Sequence, residues 1–448
     1  NSPLATDELE RSLEVALASV GELNTSLINS QNAEQLSSNV AQLTPTYLSE
    51  ISEGLSQRRD FIEVDLVDKG VNYFTTFIGG QTFTGTPLDD VFEMTNTLTA
   101  EDVIVGNGGF DTLRFVDNAS SDDELKNIRD IDMIEVRDNA SILRTFDNLV
   151  PSDGSITIDG SDISDAGGLT LTVFEAETGG YSIFGSPHDD LLTTGSGDDE
   201  IAAGSGNDIM TFGNRLTSLD IVDGGEGDDA LRFTDNGLSS DELNQVTGIE
   251  TIILGDADTT IVTVDNLVED DGQVTIDGSG LAAAHSLNLT IFENETGNYV
   301  VKGGAGDDVI TAGSGDDEIA TGLGDDLVSF GNRLTSLDVV DGGEGDDELR
   351  FTDNGLGSDE LDQVTGIEII TLGDADTTLV TLDKLVANDG QILIDGSALT
   401  AQHSLNLTVF EDEAGDYVVT GGAGDDMVTA GSGDDDISTG LGDDLVSF

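Results

Sequence analysis

The sequence predicts an all-β solenoid with a small α-helical segment at its N-terminus, and three observations predict it. A nine-residue phrase recurs in tandem: Gly303-Gly304-Ala305-Gly306-Asp307-Asp308-Val309-Ile310, then Gly313-Ser314-Gly315-Asp316-Asp317-Glu318-Ile319, then Gly322-Leu323-Gly324-Asp325-Asp326-Leu327-Val328. A longer unit recurs every 118 residues (330 − 212), carrying Phe212 to Phe330 and Phe448, Phe115 to Phe233 and Phe351, and Phe174 to Phe292 and Phe410. Between the nonapeptide blocks lie short runs rich in β-branched residues, separated by Gly, Asp and Asn turns, which read as strands. Self-similarity at a fixed period marks a stacked array in which each unit contacts its neighbours.

Taken in order, residues 1–60 differ from the rest. Leu9, Leu13, Leu17 and Val20 recur at helical spacing, and Thr44-Pro45 is a helix-start signal leading into Leu48, Ile51 and Leu55. Two or three amphipathic helices are expected there. They either cover the open end of the solenoid, which exposes apolar core and unpaired strand edges, or dock a neighbouring subunit or domain. Residues 61–184 form a first, diverged module, in which Gly85-Thr86-Pro87-Leu88-Asp89-Asp90-Val91-Phe92 stands where three nonapeptides stand later. Residues 185–302 and 303–420 form the second and third modules, and 421–448 the nonapeptide block of a fourth. The sequence ends on the Phe that would open the next unit, so a longer parent with more copies is expected.

The second insert carries apolar runs at 249–254, 260–264, 274–276 and 287–292. Their density fits further rungs of the same solenoid; a globular sandwich interrupting the array is the alternative. The acidic stretch Ser240-Asp241-Glu242-Leu243 suits a single helical turn at a corner.

Within the nonapeptide, glycines permit backbone conformations that side chains forbid and bring carbonyl oxygens together. The sixth residue is Asp, and the aliphatic eighth points inward. Hard cations such as Ca²⁺ take about six to eight oxygens, from carboxylates and carbonyls together. A disordered Gly/Asp linker would not keep Ile201, Met210, Ile310, Ile319, Val328, Val428 and Ile437 in phase. The phrase resembles the calcium-binding nonapeptide of the RTX (repeats-in-toxin) family. The resemblance implies a right-handed parallel β-roll in which two nonapeptides make one turn and several Ca²⁺ ions sit between stacked loops. Carried onto this chain, it implies as ligands Asp190, Asp199 and Asp208, Asp308, Asp317 and Asp326, and Asp426, Asp435 and Asp444. Single units add Asp229 and Asp347, with Asp111 a weaker member because Phe110 precedes it. The implied glycine turns are Gly195 and Gly197, Gly304 and Gly306, Gly313 and Gly315, Gly322 and Gly324, and Gly422 and Gly424. The turns at 85–92 and 185–192 depart from the pattern, with Leu88 or His188 where the fourth glycine belongs, so weak binding or none is expected there.

Composition narrows the function. Against 91 Asp and Glu stand 15 Lys and Arg, a formal charge of −76. Nucleic-acid binding needs a basic surface and is not expected. The acid reads either as a solvated surface or as a partner for divalent cations within the fold, and both can hold, because such a charge opposes compaction without counterions. There is no Cys, hence no disulfide or thiolate site. No apolar run reaches the roughly 18 residues of a membrane span, and no signal peptide is visible.

Catalysis is not expected. His285 and His403 occupy equivalent places in two modules, which suits a structural corner, and His188 lies in a degenerate turn. Neither a His-Glu-x-x-His nor a Gly-x-Ser-x-Gly pattern occurs. Arg215 and Arg333, placed identically, read as ion-pair partners or as an intersubunit contact. Near-identical modules without a unique reactive cluster point to an extracellular or cell-surface bacterial scaffold: a surface-layer protein, filament or adhesin stalk. Such a chain self-assembles or binds a cell-surface component. The family resemblance implies type I secretion, unfolded, with folding on calcium outside the cell. The alternative is the RTX accessory region of a secreted enzyme or toxin, such as a polysaccharide-modifying enzyme.

Overall fold

The computed structural model describes residues 72–75 and 80–448, apart from 95–97, 117–122, 138–140, 147–148, 151–153, 165, 174–178, 214–215, 235–237, 239–241, 264–266, 268–271, 292–296, 332–333, 353–359, 382–384, 386–389 and 410–414. The helices expected within 1–60, and Arg215 and Arg333, lie outside the described residues.

Asn72–Phe448 form one all-β unit. Among the described residues there are 36 strands, all paired in parallel, in sheets of 9, 11, 9, 3 and 4. Each strand pairs with the strand two before or two after it and never with its immediate successor. Two strands therefore make one coil, and successive strands alternate between two faces. Leu191 pairs with Ile209 and Val309 with Leu327, a step of eighteen residues or two nonapeptides. Longer coils carry their surplus in the corners: Ala230 pairs with Thr251, Gln273 with Asn298, and Thr259 with Leu287. The inserts are thus rungs of the same solenoid, and the sandwich alternative falls.

Why these segments are strands is visible in the alternation of burial. In Ile209–Phe212 and Leu327–Phe330 every second side chain is buried, as the period of two in a pleated strand requires. The inward residues stack into ladders one side chain wide. One ladder runs Leu192, Met210, Leu231, Ile252, Ile276, Val301, Ile319, Val340 and Val364 through successive pairings. The eighth-position residues Ile201, Ile310 and Val428 are buried as expected, and Ile437 packs against the same core. Phe212 stacks on Phe233, and Phe330 on Phe351. The acidic corner stretch forms a 3₁₀ turn at Glu124–Asn127 in the first module and a turn at 242–245 in the second.

The module holds an odd number of strands. Leu191–Thr193, Val309–Thr311 and Met427–Thr429 are equivalent, and each lies eleven strands beyond the last. Eleven strands at two per coil is five and a half coils, so equivalent strands of successive modules fall on opposite faces. The two-residue strands Ile128–Arg129, Val246–Thr247 and Val364–Thr365, one per module, each end a sheet.

Replacing Phe330, fully buried, with Ala should destabilise its coils by about 3–5 kcal/mol through cavity formation. Replacing Leu337, 65% exposed, should change stability by under about 0.5 kcal/mol. Hydrogen exchange of the 327–330 and 348–351 amides in calcium checks both; equal effects would contradict the packing described.

Candidate metal centre

The repeat turns lie at the two edges of the solenoid, where the chain passes from one face to the other. Their sixth-position aspartates stack into columns, and each reaches to the neighbouring coil. The Asp190 amide donates to Asp208 Oδ1 at 2.7 Å, and the Asp208 amide to Asp229 Oδ1 at 2.7 Å. In the third module the same pattern links Asp308 to Asp326 at 2.7 Å and Asp326 to Asp347 at 2.8 Å. In the fourth, the Asp426 amide donates to Asp444 at 3.0 Å. In the first, the Asp90 amide donates to Asp111 Oδ1 at 2.9 Å.

On the opposite edge the carboxylates of Asp199, Asp317 and Asp435 accept the amides of Tyr181, Tyr299 and Tyr417 at 2.9, 3.0 and 3.0 Å. Because a module turns the array by half a coil, the longer column changes edge from the second module to the third and back in the fourth. The single units carrying Asp229 and Asp347 join the columns of the tandem units. Asp435 and Asp444, in the outermost coils of this sequence, are half-buried, whereas the earlier members are buried.

One oxygen of each aspartate is thereby used. The fate of the other divides them. In the first turn of each long column it is satisfied locally: the Gly304 amide donates to Asp308 Oδ2 at 2.9 Å, and the Gly422 amide to Asp426 Oδ2 at 2.9 Å. The two degenerate turns go further. Ser186 donates both its amide and its hydroxyl to Asp190, each at 2.6 Å, and the Thr86 amide donates to Asp90. In the later turns the second oxygen of Asp111, Asp208, Asp229 and Asp347 is buried without a hydrogen bond, whereas Asp199, Asp317 and Asp326 are also approached by the Gly195 amide, the Gly313 amide and the Thr321 side chain of their own turns. An ionised oxygen left this way costs heavily.

The glycines explain why the turns can stack so closely. Gly322 and Gly324 adopt φ of 112° and 124°, which side chains rarely tolerate. A Cβ on Gly303 would collide with both Asp308 Oδ2 and the Thr321 carbonyl oxygen of the next coil. Each turn is thus a small cradle lined by a carboxylate oxygen and carbonyls. Among the described residues no three His, Asp or Glu side chains converge. An ion held here would draw on one or two carboxylates and on backbone carbonyls.

Burial raises the carboxyl pKa values, and neighbouring carboxylates add to the rise. Asp199 and Asp208 are pushed up to about 7, and Asp111, Asp229, Asp308, Asp317 and Asp347 up to about 6. Asp190 and Asp326 are raised by the same burial.

Four copies of the RTX calcium-binding nonapeptide repeat match the chain, over residues 184–214, 296–328, 337–351 and 414–446. It is an RTX β-roll protein. RTX nonapeptides bind calcium, and the donor set fits that ion: oxygen alone, negatively charged, with buried carboxylate oxygens lacking a partner. No relative among the curated proteins matches the chain. The site residues of this β-roll extend beyond those legible in its nonapeptides. Asp220 and Asp338, just ahead of the strands Ile221–Glu226 and Val339–Glu344, accept the Asp199 and Asp317 amides at 2.7 and 2.8 Å. Glu250 and Glu368 accept those of Asp229 and Asp347 at 2.7 and 2.9 Å. Their signal was an acid one or two residues ahead of a β-branched strand, as in the repeats, without the glycines. Fifth-position acids form a second, exposed ladder running the other way: Asp307 Oδ1 accepts the Asp325 amide, and Asp325 Oδ1 the Asp346 amide, each at 3.0 Å. His285 and His403 sit at corners beside Asp258 and Asp376, at 3.4 and 3.7 Å.

The raised values carry a sign. Between the unfolded carboxyl value near 4 and the folded values near 6 and 7, the metal-free fold binds more protons than the unfolded chain. Its stability therefore falls as pH rises through that window. Asp208→Asn and Asp326→Asn keep the accepting oxygen and remove the charge. In chelator at pH 7.5 each should raise the β-sheet circular dichroism above the parent's, yet weaken calcium binding measured by calorimetry. Variants that lose β-structure in chelator and keep parental affinity would refute this role for the buried carboxylates.

Proposed function

We propose that calcium ions lie between stacked turns, held by the sixth-position aspartates and turn carbonyls, and that the array they stiffen is an extracellular scaffold. The implied ligands are Asp111, Asp208, Asp229 and Asp347, whose second oxygens lack partners, together with Asp199, Asp317 and Asp326. Asp190, Asp308, Asp426, Asp435 and Asp444 share the same columns. When bound, the ion supplies the positive charge that the buried carboxylates lack. The aspartates would hold it through the oxygen left free, while Oδ1 keeps the coils in register.

The observation that carries the scaffold reading is the multiplication of one module along a single solenoid. Modules equivalent at Leu191, Val309 and Met427 add length and alternate faces without adding a new constellation of reactive groups. This supports a non-catalytic surface-layer, filament or adhesin element that self-assembles or binds a cell-surface component, exported unfolded by a type I route and folded by external calcium. Among the described residues no helix is long and apolar enough to cross a membrane.

Electron microscopy and sedimentation of the chain, in calcium and in chelator, test the reading. Ordered end-to-end or lateral arrays are expected in calcium, dispersing on chelation. A chain that stays a monomer at saturating calcium would contradict self-assembly. Turnover of a polysaccharide by the parent protein would favour the accessory-region reading instead.

A further inference from the structure

We propose that the divalent cation at the end of each long column is held jointly by the last glycine turn and by the first coil of the insert, whose ligands lie outside the nonapeptides. The site is formed by Asp229, Glu250 and the Gly248 carbonyl in the second module, and by Asp347, Glu368 and the Gly366 carbonyl in the third. The inference rests on the calcium reading of the repeats and extends it to Glu250, Glu368, Gly248 and Gly366, which the repeat pattern does not contain.

Three observations converge on it. The first is the orphaned oxygen: Asp229 and Asp347 are 0% and 1% exposed, and Oδ2 of each lacks a hydrogen bond. No further nonapeptide stacks on these turns; the next coil reads Val-Thr-Gly-Ile-Glu at 246–250 and again at 364–368.

The second is the carboxylate supplied by that coil. Glu250 Oε2 accepts the Asp229 amide at 2.7 Å and Glu368 Oε2 the Asp347 amide at 2.9 Å, taking the place that a sixth-position Asp holds lower in the column. The longer side chain reaches from a coil without a glycine turn. The amides of residues 250 and 251 both donate to the Asp229 carbonyl, at 3.1 and 3.0 Å, which fixes the two coils against each other.

The third is the carbonyl. Gly248 and Gly366 both adopt φ of 61°, and a Cβ on Gly224 would collide with the Gly248 carbonyl oxygen and lie 2.8 Å from Asp229 Oδ2. On Gly342 it would collide with the Gly366 carbonyl and lie 2.7 Å from Asp347 Oδ2. The carboxylate and the carbonyl thus share one cradle. The first module repeats the arrangement with Asp132 in place of Glu: Asp132 accepts the Asp111 amide at 2.7 Å, and Asp111 Oδ2 lacks a partner. There Asp130 holds the left-handed conformation, φ 55°, despite its side chain. A hard cation suits two carboxylates and a carbonyl, with water completing its shell.

The test uses the full chain and its Glu250→Gln/Glu368→Gln variant, which keeps an oxygen for the Asp229 and Asp347 amides and removes the charge. Bound calcium is counted by equilibrium dialysis with metal analysis, and β-structure in saturating calcium is followed by circular dichroism. The variant should bind two fewer ions per chain with its β-signal retained. A second variant, Glu250→Asp/Glu368→Asp, copies the first module and should retain the parental count. Unchanged stoichiometry and affinity in the Gln variant would overturn the proposal while leaving the repeat sites standing. A parent that takes up no calcium overturns the repeat reading, and this one with it. Should the Gln variant lose its fold, anomalous scattering from calcium-grown crystals of the parent decides: a peak between Asp229 and Glu250 supports the site, and none overturns it.

Discussion

Everything in this solenoid depends on a carboxylate buried between coils. Each column aspartate fixes register by taking an amide from the coil beneath, and in the later turns it leaves a second, ionised oxygen in a cradle of carbonyls. The balance between burial and desolvation is decided by magnitude. Burying one Leu or Ile is worth about 1.5–3 kcal/mol, and the core supplies ladders a single side chain wide. Removing a carboxylate from water without a partner costs several kcal/mol. Uncompensated aspartates at both edges therefore offset a large share of the apolar burial of a coil. A cation that paired with the orphaned oxygen and bound only the folded arrangement would reverse that balance, its binding free energy becoming folding free energy.

The same residues that demand an ion also make the array extensible. A coil in the repeat blocks is eighteen residues, and the inserts lengthen the corners without breaking the parallel pairing. With eleven strands to a module among the described residues, the aspartate columns alternate between edges and the outward faces alternate with them. A surface feature of one module is shown on the reverse side by the next. Extra length therefore adds stiffness and two-sided display together, which is what a scaffold requires.

Much of this was legible in the residues themselves. The inward aliphatic at the eighth position, the sixth-position Asp and the 118-residue register of phenylalanines all derive from stacking, and stacking is periodic. The inserts were legible as rungs because their runs alternate with a period of two. What the sequence concealed depends on which coil lies beside which. Asp220, Asp338, Glu250 and Glu368 occupy column positions only because corners of different lengths bring them over Asp199, Asp317, Asp229 and Asp347. No local pattern announces that. The half-coil offset was hidden for a similar reason: it depends on the parity of a strand count, to which two-residue strands such as Val246–Thr247 contribute.

The most direct test of the central claim is the far-ultraviolet circular dichroism of the full chain at neutral pH, titrated from excess chelator into calcium. A cooperative rise from a largely unfolded spectrum to a β-sheet spectrum is predicted, saturating with the bound ions and reversed by chelator. A chain that shows its full β-sheet spectrum in chelator, and does not change as calcium is added, would contradict the dependence of the fold on metal.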